Sequence, residues 1–239
     1  DSAARGFEAQ TGDALAEPGD DAITAAEGNV ILADFGVIEQ AAGVNRAFDT
    51  GSVTRVTTVR EDEGGDDTVT GGVQADWILA GAGADMIDGT AGDDVVLGDV
   101  GRLTTQGDMR RALAETSPDA PAAGGDDTIE AGDGAQWVLG GAGADEVTLG
   151  DGGAIVLGDT GLMEAAASAA PLRVETRESA VGGADRVTAG DGTAIVFGGR
   201  DGDAITLGEG DHTVAGDFAA LDLTGGRRLA FAALDAGAG

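Results

Sequence analysis

The chain has no cysteine, no tyrosine and no lysine, a single histidine, four prolines and only 3% aromatic residues in 239 positions. Without cysteine there is no disulfide framework. One histidine and no thiol leave no nitrogen or sulfur ligand set for zinc or copper. So few rings exclude a globular core of large side chains, whereas a thin core of one Val, Ile or Leu per strand needs no more than this chain has. The 13 basic residues are all arginine and face 44 acidic ones, a formal net charge of −31. A basic surface for nucleic acid is therefore missing, and self-repulsion opposes a compact state unless counter-ions bind. The all-arginine usage suits a high-GC genome or a halophile's acidic surface. No apolar run approaches the ~18 residues of a membrane span. The HExxH, GxSxG and P-loop patterns are absent, so no enzyme is expected. With no initiator methionine and no signal peptide, the sequence reads as a segment of a longer array.

What the chain has instead is 44 glycines set on a regular clock. Asp67, Asp76, Asp85 and Asp94 stand nine apart, and two positions after each comes an aliphatic residue: Val69, Ile78, Ile87, Val96. The phase returns at Asp127, Gln136, Asp145 and Ala154, and again at Asp185, Ala194, Asp203 and His212. A looser set at steps of eight is Asp13, Asp21 and Asn29. A longer period lies over the nine. Trp77 recurs as Trp137, and the Leu-Gly-Asp ending at Asp99 recurs ending at Asp159, both 60 on. The whole chain, 1–239, is thus a single repeat array with modules at roughly 12–63, 64–123, 124–181 and 182–239. A module is four nine-residue units plus an insertion, the insertions being roughly 35–63, 100–123, 160–181 and 218–239. Alternating segments such as Val53–Val59 and Leu172–Thr176 predict β-hairpins in them. Gly225 is placed to close one hairpin turn. Met109–Thr116 and Leu162–Ala170 are richer in helix formers, which leaves short helical caps as the alternative.

Residues 140–148, GGAGADEVT, carry a resemblance. They match at every defined position the GGxGxDxUx nonapeptide of the RTX (repeats-in-toxin, haemolysin-type) calcium-binding family, and residues 80–88, AGAGADMID, miss only the first glycine. The resemblance implies an all-β fold: a parallel β-roll, or solenoid, of nine-residue half-coils, with calcium between turns stacked on one edge. Here hairpin insertions are expected on one edge at every second coil. Calcium accepts six to eight oxygens in flexible geometry, which suits turns of carboxylates and backbone carbonyls. Carried over by motif position, the ligands are Asp67/Asp85, Asp127/Asp145 and Asp185/Asp203 on one edge, here edge A, and Asp76/Asp94 on the opposite edge B. The carbonyls of glycine loops join them: Gly81, Gly83, Gly140, Gly141 and Gly143. Pairs spanning an insertion, such as Asp145/Asp185, are not expected to hold an ion, because the turn is rebuilt there. On edge B, Gln136, Ala154 and Ala194 depart from the motif. The loops there keep Asp133, Asp151, Asp191 and Glu209 and read as polar turns, with weak metal sites as the alternative, and His212 as a tolerated surface substitution.

Alternation along each strand sends the middle residue inward and its flanks outward. On strands leaving edge A the flanks are polar, as at Thr68/Thr70 and Glu146/Thr148. On strands leaving edge B they are apolar: Trp77/Leu79, Val95/Leu97, Trp137/Leu139, Ile155/Leu157 and Ile195/Phe197. Such a patch marks an interface. Two occupants are open: the chain's own insertions folded back as a lid, or another chain. The expected function is a calcium-dependent structural module of a secreted or cell-surface bacterial protein, such as an adhesin, surface-layer or filament component. It would associate with itself or with neighbouring repeats of the same polypeptide. The alternatives are the accessory domain of a secreted hydrolase and an ice- or glycan-binding face built on the threonines.

Overall fold

The structure is a computed structural model that describes residues 19–41, 52–106, 109–117, 122–165, 171–177, 180–222 and 229–233. Its elements are all strands, in four blocks. The first holds β1 (Ala22–Thr24), β2 (Val30–Leu32) and a hairpin of β3 (Gly36–Gln40) and β4 (Val53–Thr58). The second holds β5 (Thr68–Thr70), β6 (Trp77–Leu79), β7 (Met86–Asp88) and β8 (Val95–Leu97), then a hairpin of β9 (Gly101–Gln106) and β10 (Met109–Thr116). The third holds β11 (Thr128–Gly132), β12 (Gln136–Gly141), β13 (Glu146–Leu149) and β14 (Ala154–Asp159), then β15 (Gly161–Ala165) and β16 (Pro171–Thr176). The fourth holds β17 (Arg186–Ala189), β18 (Ala194–Phe197), β19 (Ala204–Leu207) and β20 (Thr213–Ala215), then β21 (Ala219–Asp222) and β22 (Leu229–Ala233).

The nine-residue clock sorts the coil strands into two parallel sheets. One runs β1-β5-β7-β11-β13-β17-β19 and the other β2-β6-β8-β12-β14-β18-β20. Their register is that of the repeat: Val69 lies beside Ile87, Ile87 beside Ile129, and Ile78 beside Val96. The middle residues of both sheets meet between them in a thin core of Val69, Ile78, Ile87, Val96, Ile129 and Val138, continuing through Val196. A half-coil of three to six strand residues offers only one or two inward side chains, as Val147 and Leu149 do in β13, so only stacking makes this layer continuous.

The insertions build a third sheet, antiparallel throughout, in the order β22-β21-β16-β15-β10-β9-β4-β3. Each hairpin docks on the next by the same exchange. Thr58 Oγ1 accepts the Gly101 amide at 2.9 Å and donates to the Gly101 carbonyl at 3.2 Å. Thr116 does the same with Gly161, and Thr176 with Ala219. Buried Glu115 adds ion pairs to Arg102 of its own hairpin and to Arg177 of the next.

This third sheet covers the apolar face. Trp77, Leu79, Val95, Leu97, Trp137, Leu139, Ile155, Leu157 and Phe197 are buried, with Ile195 partly so, against hairpin residues Val53, Val56, Leu103, Met163, Val174 and Leu221. Of the two occupants left open by the sequence, the structure has the chain's own insertions, and the reading of this face as an interface with another chain is corrected accordingly. The helix-former segments are also strands where described: Met109–Thr116 is β10, and Leu162–Ala165 lies in β15. Cross-strand pairing and a buried face override helix propensity there. Gly225, Asp13 and residues 166–170 lie outside the described residues.

Candidate metal centre

On edge A each turn presents one aspartate inward, and consecutive coils join through it. The Oδ1 of each carboxylate accepts the backbone amide of the aspartate one coil earlier. The chain of bonds is Asp21 N to Asp67, Asp67 N to Asp85, Asp85 N to Asp127, Asp127 N to Asp145, Asp145 N to Asp185 and Asp185 N to Asp203, at 2.7 to 3.0 Å. The ladder is unbroken at Asp85/Asp127 and Asp145/Asp185, where the insertions were expected to interrupt it.

The second oxygens are the informative ones. Oδ2 of Asp67, Asp85, Asp127, Asp145, Asp185 and Asp203 is buried and has no hydrogen-bond partner. Leaving a buried acceptor unmet costs on the order of 1–3 kcal/mol. Two unit charges at the strand spacing of about 4.8 Å repel by roughly 3 kcal/mol at an effective dielectric of 20. None of the ion pairs among the described residues includes one of these carboxylates. Burial, reinforced by neighbouring carboxylates, lifts their pKa values: Asp67 to about 6, Asp85 to about 7, Asp127 and Asp145 to about 8, and Asp185 to about 9. Asp203 rises as well. A stack of anions in this state needs protons or a cation.

The oxygens converge at glycines that have no side chain in the way. A Cβ on Gly98 would collide with Asp127 Oδ2 and lie 2.8 Å from the Gly140 carbonyl oxygen. On Gly140 it would meet Asp145 Oδ2 and the Gly158 carbonyl, and on Gly158 Asp185 Oδ2 and the Gly198 carbonyl. Each carboxylate oxygen thus faces the carbonyl of a following turn. Gly81, Gly83, Gly141 and Gly143 take φ of +127°, +138°, +127° and +127°, whereas Gly140 is not in that region. Among the described residues no three acidic or histidine side chains already meet as ligands around one point. The donors of a site are therefore one or two carboxylates with turn carbonyls. An all-oxygen, irregular set of this kind fits Ca2+ better than the rigid octahedron of Mg2+.

Edge B starts the same way and then changes. Asp76 Oδ1 accepts from Asn29 N and Asp94 Oδ1 from Asp76 N, but Asp76 Oδ2 is already used by the Gly72 amide. Gln136 takes the next rung, its Oε1 accepting from Asp94 N at 3.0 Å and its Nε2 donating to the Gly92 carbonyl at 2.8 Å. A neutral amide there satisfies itself without an ion. Beyond it the acids move outward, Asp133, Asp151 and Asp191 each accepting from the amide one coil on, at Asp151, Asp191 and Glu209. This row is exposed, whereas His212 is half-buried, its Nε2 3.2 Å from the Gly208 carbonyl oxygen.

The residues that sequence reasoning did not assign to the site are Asp34, Asp99 and Asp159, which stand where each hairpin leaves edge A. The signal was present in the repeated Leu-Gly-Asp, but it marked the module and carried no role.

With this geometry in hand, the comparisons are specific. Residues 62–101 and 122–155 match the family model of the RTX calcium-binding nonapeptide repeat in four copies. These segments are similar to RTX repeats, which bind Ca2+. No curated protein and no solved structure matches the chain.

Proposed function

We propose that this chain is a calcium-dependent structural module of a secreted or cell-surface bacterial protein, a stiff spacer in an adhesin, surface layer or extracellular filament rather than an enzyme. The observation that carries this is the row of buried, unpartnered Oδ2 atoms on edge A, those of Asp127, Asp145, Asp185 and Asp203 each facing a turn carbonyl. Asp67/Asp85, Asp127/Asp145 and Asp185/Asp203 hold the ions there, and Asp76/Asp94 form a weaker site because Asp76 spends both oxygens on amides. With the ions bound, three stacked sheets make a rod from a sequence too acidic to collapse alone. Secretion fits that chemistry, since calcium is scarce inside cells and plentiful outside, so the chain would fold after export. Association through the Trp77/Trp137 face has no support, the hairpins having taken that face. Contact with neighbouring repeats runs instead through the coil ends, where strands such as β19 and β20 present an open edge.

The test is calcium titration from a chelated start, with far-UV circular dichroism and bound calcium followed together. Sheet signal that grows with at least three bound ions per chain is the expected result. A chain that folds fully under chelator at neutral pH and binds no calcium would refute it.

A further inference from the structure

Each insertion cuts an edge-A turn in two. Between modules two and three the chain leaves at Asp99 and returns at Gly124; in an uncut turn the position of Asp99 is a glycine, such as Gly141. The cut turns replace that glycine with aspartate three times, and the three side chains do the same thing. Asp99 Oδ1 accepts the amide of Gly125, on the returning strand of its own turn, at 3.1 Å, and its Oδ2 accepts the amide of Ala142 in the next coil. Asp159 accepts from Gly183 at 2.9 Å and from Arg200. Asp34 accepts from Ala82 at 2.8 Å and from Gly65. The carboxylate fills the space that a side chain would need at Gly124 and Gly141, or at Gly182 and Gly199.

We infer that Asp34, Asp99 and Asp159 are positioning residues of the cation sites: each rebuilds a cut turn, clamps it to the next, and sets a third carboxylate beside a ladder pair. The inference rests on the reading that edge A binds calcium. It divides the intervals of edge A into two kinds. Within a module the intervals Asp67/Asp85, Asp127/Asp145 and Asp185/Asp203 each have a clamp, whereas between modules Asp85/Asp127 and Asp145/Asp185 have none. The clamp belongs with the ion for two reasons. Asp127 and Asp145 are only 2% and 1% exposed, and their Oδ2 atoms, like those along the rest of the ladder, lack partners, so the clamp brackets a pair that needs a cation. A carboxylate has about four lone-pair sites, so the two amides leave Asp99 acceptor capacity to spare. Asp99 is itself buried and feels Asp127 and then Asp145 most among its charged neighbours. A clamp needed only for its hydrogen bonds would not have to be an anion in this place. Three tight cations per chain, one for each clamp, follow from the arrangement, together with weaker binding between modules.

The experiment is isothermal titration of Ca2+ into the full, chelator-stripped chain, for the wild type and for Asp99→Asn, Asp159→Asn and Asp126→Asn. Asp126 is exposed and its Oδ1 accepts from Ala144 across the same two turns, so its variant removes an equal charge from the same place without touching the clamp. The expected result is that one tight site weakens by about 10- to 100-fold in each clamp variant, with the other sites unchanged and Asp126→Asn equal to wild type. Terbium substituted for calcium gives a second reading: its luminescence lifetimes in H2O and D2O count bound waters, and a loosened turn raises that count in the clamp variants. If Asp99→Asn does not fold at saturating calcium, Asp159→Asn and Asp34→Asn make the same comparison in other modules. Clamp variants with wild-type site number, affinity and hydration would overturn the inference, as would an equal loss in Asp126→Asn. A wild-type chain that binds no calcium sinks the underlying reading as well, and that outcome is recognised without any variant.

Discussion

Remove calcium and raise the pH, and the roll should unfold where most proteins are comfortable. Burial and mutual repulsion lift Asp127 and Asp145 from an ordinary 3.8 to about 8, and Asp185 to about 9. The unfolded chain loses these protons near pH 4, the ion-free fold only near pH 8. Between those values the fold holds more protons than the unfolded chain, so stability falls as pH rises. The contribution is fully present below the unfolded value and is gone above the folded ones. Each such carboxyl costs about 1.4 kcal/mol per pH unit, so the three together cost about 4. From pH 5 to pH 7 that is about 8 kcal/mol, comparable with the roughly 5–15 kcal/mol that holds a whole domain together. The assay is urea unfolding with a chelator present at pH 5, 6, 7 and 8, read by the fluorescence of the buried Trp77 and Trp137 and by circular dichroism. The urea midpoint should drop steeply with each step, and calcium at pH 8 should restore it with release of protons. A midpoint that is flat or rises from pH 5 to pH 8 under chelator would show that the ladder stays ionised without an ion, and the reasoning from buried carboxylates would fail.

Other outcomes follow from single contacts. Thr116→Val removes the hydroxyl that serves both the amide and the carbonyl of Gly161; it should cost ~1–3 kcal/mol in denaturant melts with calcium present. Trp137→Ala empties a buried place between the coil and the hairpin sheet and should cost about 3–5 kcal/mol in the same assay. Gly141→Ala puts a side chain at φ +127° and against Asp99; a loss of ~1–3 kcal/mol from the backbone alone is expected, with weaker calcium binding by titration.

The coil was legible because its information is local and repeated. An inward aliphatic two residues after each Asp specifies both sheets, and register follows since a slip of one would turn Val138 outward and Trp137 inward. The alternation of polar and apolar flanks also announced that one face is covered. What covers it was harder to read, because the hairpins share no motif: Val53–Thr58 alternates clearly, whereas Met109–Thr116 is built of helix formers held straight by pairing with β9 and β15. Nor did spacing reveal the clamps. Asp99 lies 28 residues from Asp127 and 46 from Asp145 in sequence, and only the return of the hairpin to edge A brings the three together. The unbroken ladder across the insertions has the same origin, since Asp145 and Asp185 become neighbours once Asp159 has closed the gap.

The threonine exchange between successive hairpins has a consequence for how such a rod is inherited. Thr58 with Gly101, Thr116 with Gly161 and Thr176 with Ala219 are one joint used three times. Its partners are backbone groups of the following hairpin, so it asks almost nothing of that hairpin's side chains. The aspartate ladder likewise joins each module to the next by the same bond, Asp85 N to Asp127 and Asp145 N to Asp185. A gene that gained or lost one such block would meet matching joints on both flanks and would lengthen or shorten the rod by two coils, about 10 Å at the strand spacing. Length is then a trait that unequal recombination can tune in fixed steps, while the joints and ion sites stay as they are.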